Sequence, residues 1–187
     1  LWRDLGEGSC ESWHVRASLN GEPLGLYVHV ENPGGAYLTR NRLSKGWLWK
    51  AYSEGFQGAH GFELKAGEPE AGRALLEDFL EKINSLQGEA LEKHIRDRMN
   101  VDSFVSFLAA CQLVHSADHV EKNYLVYADP TGRFTFLPWD MDLTHGRNFE
   151  CNGGGGWNDQ IRHDLWDREY RDEKLLFGTA VHQKCDG

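Results

Sequence analysis

Residues 133–138 read as a β-strand carrying Phe134, Phe136 and Leu137 into Trp139, so the strand belongs beside a hydrophobic core, yet it ends by delivering Asp140 and Asp142. Two carboxylates that close together in apolar surroundings repel each other and call for a cation. If the strand continues, alternation sends both side chains to one face, which suits shared metal ligation. The partner strand is read over residues 123–128, joined through the turn Asp129-Pro130-Thr131-Gly132.

Upstream, residues 13–30 read as a second hairpin. Val15, Ala17 and Leu19 alternate with polar residues, Asn20-Gly21 makes the turn, and residues 24–30 run apolar. Asn32-Pro33-Gly34-Gly35 ends that strand, a short segment follows over residues 36–43, and residues 46–52 read as a further strand whose aromatic run is closed by Lys50. Residues 55–72, rich in Gly and charge, read as a loop with one short strand over residues 61–65. The spacing of Leu75, Leu76, Phe79, Leu80 and Ile83 predicts an amphipathic helix over residues 74–86. A weaker helix follows over residues 91–99. A third, opened by Asp102 as N-cap, is apolar nearly all round through Phe104, Val105, Phe107, Leu108, Cys111, Leu113 and Val114, and is expected at the centre of the core. Gly153-Gly154-Gly155-Gly156 reads as a loop, and residues 164–181 carry a helix near their end.

Of the 187 residues 40% are hydrophobic, enough for one sizeable core and one domain of two small lobes. The formal charge of −9, with no dense basic run, argues against nucleic acid as a partner. The longest apolar stretches fall short of the roughly 20 residues that span a bilayer. The four cysteines lie far apart without CxxC spacing. Cys111 reads as a buried small hydrophobe, while Cys151 and Cys185 could pair. The chain opens on Leu1 and closes on Gly187 without a signal-peptide pattern, and both ends are expected to be cuts from a longer protein.

The stretch with chemistry in it is Asp118, then Asn123 five positions on, then a hairpin, then Asp140. Phosphoryl transfer needs such parts: a carboxylate to accept the proton of the attacking hydroxyl, and an amide oxygen and a later carboxylate to hold the Mg²⁺ ions that bridge the phosphates. The same order occurs in the catalytic loop and metal-binding Asp of protein kinases. Asp and Asn are also common turn residues, so an Asx-capped loop before a hairpin fits the spacing too.

Three separated segments carry a more specific likeness. Asp102-Ser103-Phe104, Asp118, Lys122-Asn123-Tyr124 and Phe134-Thr135-Phe136-Leu137-Pro138-Trp139-Asp140-Met141-Asp142 together resemble the signature of the CotH kinase family, atypical kinases first associated with bacterial spore coats. Asn20-Gly21 to Glu31 is similar to that family's NGxxxGxY strand pair, and Gly46-Trp47-Leu48-Trp49-Lys50 to its GxLYK segment. The resemblance implies an α+β, atypical protein-kinase-like fold. Its parts would be a small β-rich N-lobe over residues 1–65 and a mainly helical, C-terminally truncated C-lobe over residues 66–187, with a β-hairpin carrying the metal site. It implies ATP and Mg²⁺ or Mn²⁺ as cofactors and transfer of a phosphoryl group to Ser or Thr of a protein substrate, in a bacterial envelope, spore-surface or secreted setting. By motif, Asp118 resembles the catalytic base and Asn123 and Asp140 the metal ligands, with Asp142 a secondary ligand or orienting group. Lys50 is the candidate for contacting nucleotide phosphates and Glu31 for a partner near the nucleotide. A strand-end lysine reaching into water fits Lys50 equally. The family's usual basic segment before the NGxxxGxY motif is not present, and His145-Gly146 stands where Phe-Gly often follows. An inactive pseudokinase, or a structural surface module stapled by metal, is therefore the alternative.

Two other chemistries fit parts of the chain less well. His115, His119 and His145 could approach the acidic cluster, but His119-Val120-Glu121-Lys122 lacks the second His of an HExxH helix. Seven tryptophans raise a sugar-binding reading, yet Trp47 and Trp49, two apart on a strand, share a face and suit core packing, and glycosidase chemistry has no use for Asn123.

Overall fold

The computed structural model describes residues 2–6, 8–53, 55–114, 116, 119, 122–141, 144, 147–148 and 158–159. Asp118, Asp142, His115, His145, Cys151, Cys185 and the stretches 152–156 and 164–181 singled out above lie outside the described residues.

The architecture is α+β. Strands β1 (Ser12–Leu19) and β2 (Glu22–Val30) form an antiparallel hairpin of their own, turning at Asn20 and Gly21, both at positive φ. A short helix α1 (Gly35–Arg40) follows, then β3 (Trp47–Ala51) and β4 (Phe62–Ala66). Three helices come next, α2 (Pro69–Ser85), α3 (Gly88–Arg98) and α4 (Val101–Leu113), and then the second hairpin, β5 (Tyr124–Ala128) and β6 (Phe134–Pro138). Strands β3 to β6 make one antiparallel sheet in the order β4-β3-β5-β6, drawn from both sides of residue 65. Two-residue strands β7 (Arg147–Asn148) and β8 (Asn158–Asp159) pair with each other.

The sheet is covered on both faces, which is why β5 is buried along its whole length. On one face Trp49, Phe62, Tyr124, Val126, Phe134 and Phe136 pack against Leu76, Phe79 and Leu80 of α2 and Phe107 and Cys111 of α4. Phe79 stacks on Phe134 with ring centroids 4.0 Å apart. On the other face Leu48, Leu125, Tyr127 and Leu137 meet Tyr37 and Leu38 of α1. Trp47 and Trp49 do serve the core: Trp49 is buried in it, and Trp47 packs against it while its indole N–H donates to the Glu68 carbonyl at 3.0 Å.

Three helix starts differ from expectation, one of them that of α3, which begins at Gly88 rather than at residue 91. Helix α2 begins at Pro69, ahead of its first apolar residue, because the Glu68 carboxylate accepts from the N–H groups of Glu70 (3.0 Å) and Ala71 (2.7 Å) and proline is pre-set for a first helical turn. Helix α4 is capped by Asn100, whose side chain accepts from Ser103 N–H at 3.3 Å, and Asp102 sits inside its first turn. Nor is α4 central to the core. Only Ser103, Phe107, Ala110 and Cys111 are buried, while Val105 and Leu113 are 57% and 65% exposed. No helix among the described residues is long and apolar enough to cross a membrane.

Candidate functional site

The register of the sheet assembles the site. Lys50 stands opposite Leu125, and Leu125 opposite Leu137, so the three share one face; Trp139 is two residues beyond Leu137. The Lys50 ammonium accordingly lies over the Trp139 ring, 5.0 Å from its centroid. Trp139 was not singled out as a site residue from the sequence, though the parity Lys50–Leu125–Leu137–Trp139 was there to be found once the pairing was known. Its indole N–H is buried without a hydrogen-bond partner among the described residues. Among the described residues Lys50 has no carboxylate partner, and its ammonium lies against the ring face.

Asn123 and Asp140 flank the open end of the β5–β6 hairpin, since Tyr124 pairs with Pro138. Both backbones are left-handed, at φ 63° and 54°. Non-glycine residues adopt that conformation at a cost and mostly where the surroundings impose it. The strand therefore does not continue through Asp140 as alternation had suggested; β6 stops at Pro138 and the turn of the backbone re-aims the carboxylate. Asn123 is buried, its N–H donating to the Ala51 carbonyl at 3.2 Å, and Asp140 is exposed.

Asp140, Trp139 and Met141 form one wall of a cleft of about 370 Å³ whose other walls include Val28 and Val30 of the first hairpin and Cys10. That is within the size range of small-molecule pockets, and the mix of apolar walls with one carboxylate fits their usual make-up. Burial, with Glu31 adding to it, pushes the Cys10 thiol up to about 12, so it is a neutral wall of the cleft rather than a nucleophile.

Glu31 sits at the base of the first hairpin and is engaged by Arg40, whose Nε donates to both carboxylate oxygens at 3.0 and 3.1 Å. The Glu11 N–H also donates to it at 3.1 Å. The Arg40 hydrogen bonds hold the Glu31 carboxyl below its ordinary value. The structure thus brings Lys50 onto Trp139, sets Trp139 and Asp140 in one cleft wall, and gives Glu31 to Arg40. His119 is a core residue, its Nδ1 3.1 Å from the Ser116 carbonyl oxygen and its ring edge-on to Phe107.

The donor types at the hairpin end are of the kind Mg²⁺ takes. Asn123 and Asp140 offer hard oxygen ligands, and this ion characteristically takes only one or two protein carboxylates, completing its shell with water and phosphate. Among the described residues there is no cluster of three or more His, Cys, Asp or Glu.

Inner spore coat protein H of Bacillus subtilis (strain 168) is 26% identical over 163 residues, which cover 79% of this chain and 45% of that protein. The chain thus spans less than half the length of this curated relative. The family described as CotH kinase protein matches residues 1–179, nearly the whole chain, and the protein belongs to that family.

Proposed function

We propose that the cleft binds a nucleoside triphosphate with a divalent ion and that the chain transfers a phosphoryl group to Ser or Thr hydroxyls of a protein. The observation that carries this reading is a cleft walled by Trp139 and the backbone-strained Asp140, with Lys50, which has no carboxylate partner among the described residues, lying over the Trp139 ring. Val28, Val30 and Trp139 would hold the base and sugar, with the Trp139 N–H donating to an acceptor there. Lys50 would leave or share the Trp139 face to meet the phosphates. Asn123 and Asp140 would hold Mg²⁺, with Asp142 supporting them, and the bound ion would neutralise charge developing on the transferred group. Asp118 would take the proton of the attacking hydroxyl. Held by Arg40, Glu31 would fix the hairpin that roofs the cleft rather than touch the nucleotide.

Calorimetric titration of Mg-ATP, and of Mn-ATP, tests the site. Binding that requires the metal and is lost in Asp140→Ala is the expected result. Unchanged affinity in that variant would remove Asp140 from the role given to it. A second reading has one observation in its favour: the relative is named as a coat protein. On that reading the chain is a catalytically silent module of a spore surface that keeps the metal site. Phosphate transfer by wild type, lost in Asp118→Asn with the fold intact, separates the two.

A further inference from the structure

At the rim of the main core lies a second, partly open cavity of about 370 Å³. One wall comes from the sheet: Trp49 pairs with Leu64 and Ala51 with Phe62, so Trp49, Phe62 and Leu64 look to the same side. That is the face of β3 opposite Lys50. The other walls are the single helical turn Ala59–Gly61, which contributes Ala59 and His60, and the first turns of α2, which contribute Pro69, Arg73 and Leu76. Trp47 ties the start of α2 in place. Its indole N–H donates to the Glu68 carbonyl, and Gly72 sits so close that a Cβ there would lie 2.6 Å from Trp47 Cδ1. The cavity therefore lies between elements fastened to one another.

One residue of the lining breaks the pattern of its helix. Pro69, Arg73, Leu76 and Leu80 follow at helical spacing along one side of α2, and the stripe is apolar but for Arg73. No carboxylate lines the cavity among the described residues. Of the carboxylates next to lining residues in sequence, Glu63 is paired with Lys65, and Glu68 accepts from the Glu70 and Ala71 N–H groups. Arg73 Nε donates to Glu77 at 2.8 Å, an i,i+4 pair whose side chains are 79% and 49% exposed. Exposed pairs of this kind are weak, so the guanidinium can exchange Glu77 for a better-shielded acceptor. Its planar fork matches a carboxylate, while the walls beside it favour apolar groups.

We propose that this cavity is a second small-molecule site and that it takes an aliphatic monocarboxylic acid, with its chain along Trp49, Phe62 and Leu64 and its carboxylate on Arg73. The volume is at the small end of ligand pockets, which suits one chain of medium length rather than a two-chain lipid. None of these residues lines the Asp140 cleft, so the two sites stand independently.

Calorimetric titration of the 187-residue chain with decanoate and with decan-1-ol, below the concentrations at which either aggregates, tests it. Decanoate is expected to bind about tenfold or more tightly than the alcohol, which reaches the same walls without a charge. Arg73→Gln changes an exposed side chain, and should bring decanoate down to the level of the alcohol while leaving the alcohol as it was. Glu77→Gln frees Arg73 and should bind decanoate at least as well as wild type. Ala59→Trp fills the cavity from its helical turn and should abolish binding of both. A wild type that takes up no decanoate, an alcohol bound as tightly as the acid, or a decanoate affinity that Arg73→Gln leaves unchanged overturns the proposal. So does decanoate binding that survives Ala59→Trp with unchanged circular dichroism, which would place the acid elsewhere, for instance on the exposed Leu26 and Val28 of β2.

Discussion

At Asp140 the backbone and the side chain favour different residues. A φ of 54° suits glycine, because any Cβ there crowds the following carbonyl, while the proposed metal role calls for a carboxylate at this position. Asp140→Ala keeps the strain and loses the carboxylate; Asp140→Gly loses both. Urea unfolding should therefore find Asp140→Gly about 1 kcal/mol more stable than Asp140→Ala, with Mg-ATP binding absent from each. Equal stabilities would mean that the turn is not imposed on Asp140. Lys50→Gln is expected to weaken ATP binding by about tenfold or more while leaving adenosine nearly unaffected, since the lost charge acts on phosphates. A uniform loss for both ligands would instead give Lys50 a merely structural place on Trp139. The residue types of the site could be read from the order of amino acids, because Asp, Asn and Lys declare their chemistry. The partner of Lys50 could not, because it depends on a pairing between strands that lie some seventy-five residues apart in sequence.

Elements were readable where one local rule dominated. Both hairpins follow from Asn-Gly and Pro-Thr-Gly turns between apolar runs, and the apolar period of α2 is plain in its interior. The helix starts were obscured because capping is decided by one side chain reaching a backbone N–H, and Glu68 and Asn100 look ordinary in the sequence beside Asp102. The exposed side of α4 was hidden for a different reason: an all-round apolar helix has no preferred face until its neighbours are placed. Strand β3 shows how closely two elements can be fitted. A Cβ at Gly46 would lie 2.1 Å from the Ala128 carbonyl oxygen and 3.2 Å from Asp129 Cα, both backbone atoms. Gly46→Ala must push β3 from β5 where they begin to pair, and should cost about 1–3 kcal/mol in urea unfolding. A loss well under that range would show that the strand start can shift freely.

Across the whole molecule the first hairpin is the part held most lightly. Among the described residues its strands pair only with each other, β2 is exposed along its length, and the Glu31–Arg40 ion pair sits at its base. Arg40 depresses the Glu31 carboxyl, so the linkage is present above the ordinary glutamate value of 4.5 and is lost as pH falls through the lower value of the folded state. Hydrogen exchange in residues 12–30 should accelerate relative to the central sheet on acidification below that point. Arg40→Met should show the faster exchange already at neutral pH, with a flatter dependence on acid. Equal protection of hairpin and sheet in both proteins would remove the ion pair from this role. The alternation of β3 has a further consequence, for heredity. Trp49 fills the core on one side of the strand while Lys50 lies over Trp139 on the other. Inserting or deleting one codon between Gly46 and Lys50 would exchange those two sides, burying the ammonium and expelling the indole. Descendants of this gene can vary here by replacing letters, but a frame-preserving change of length would cost the fold and the cleft together.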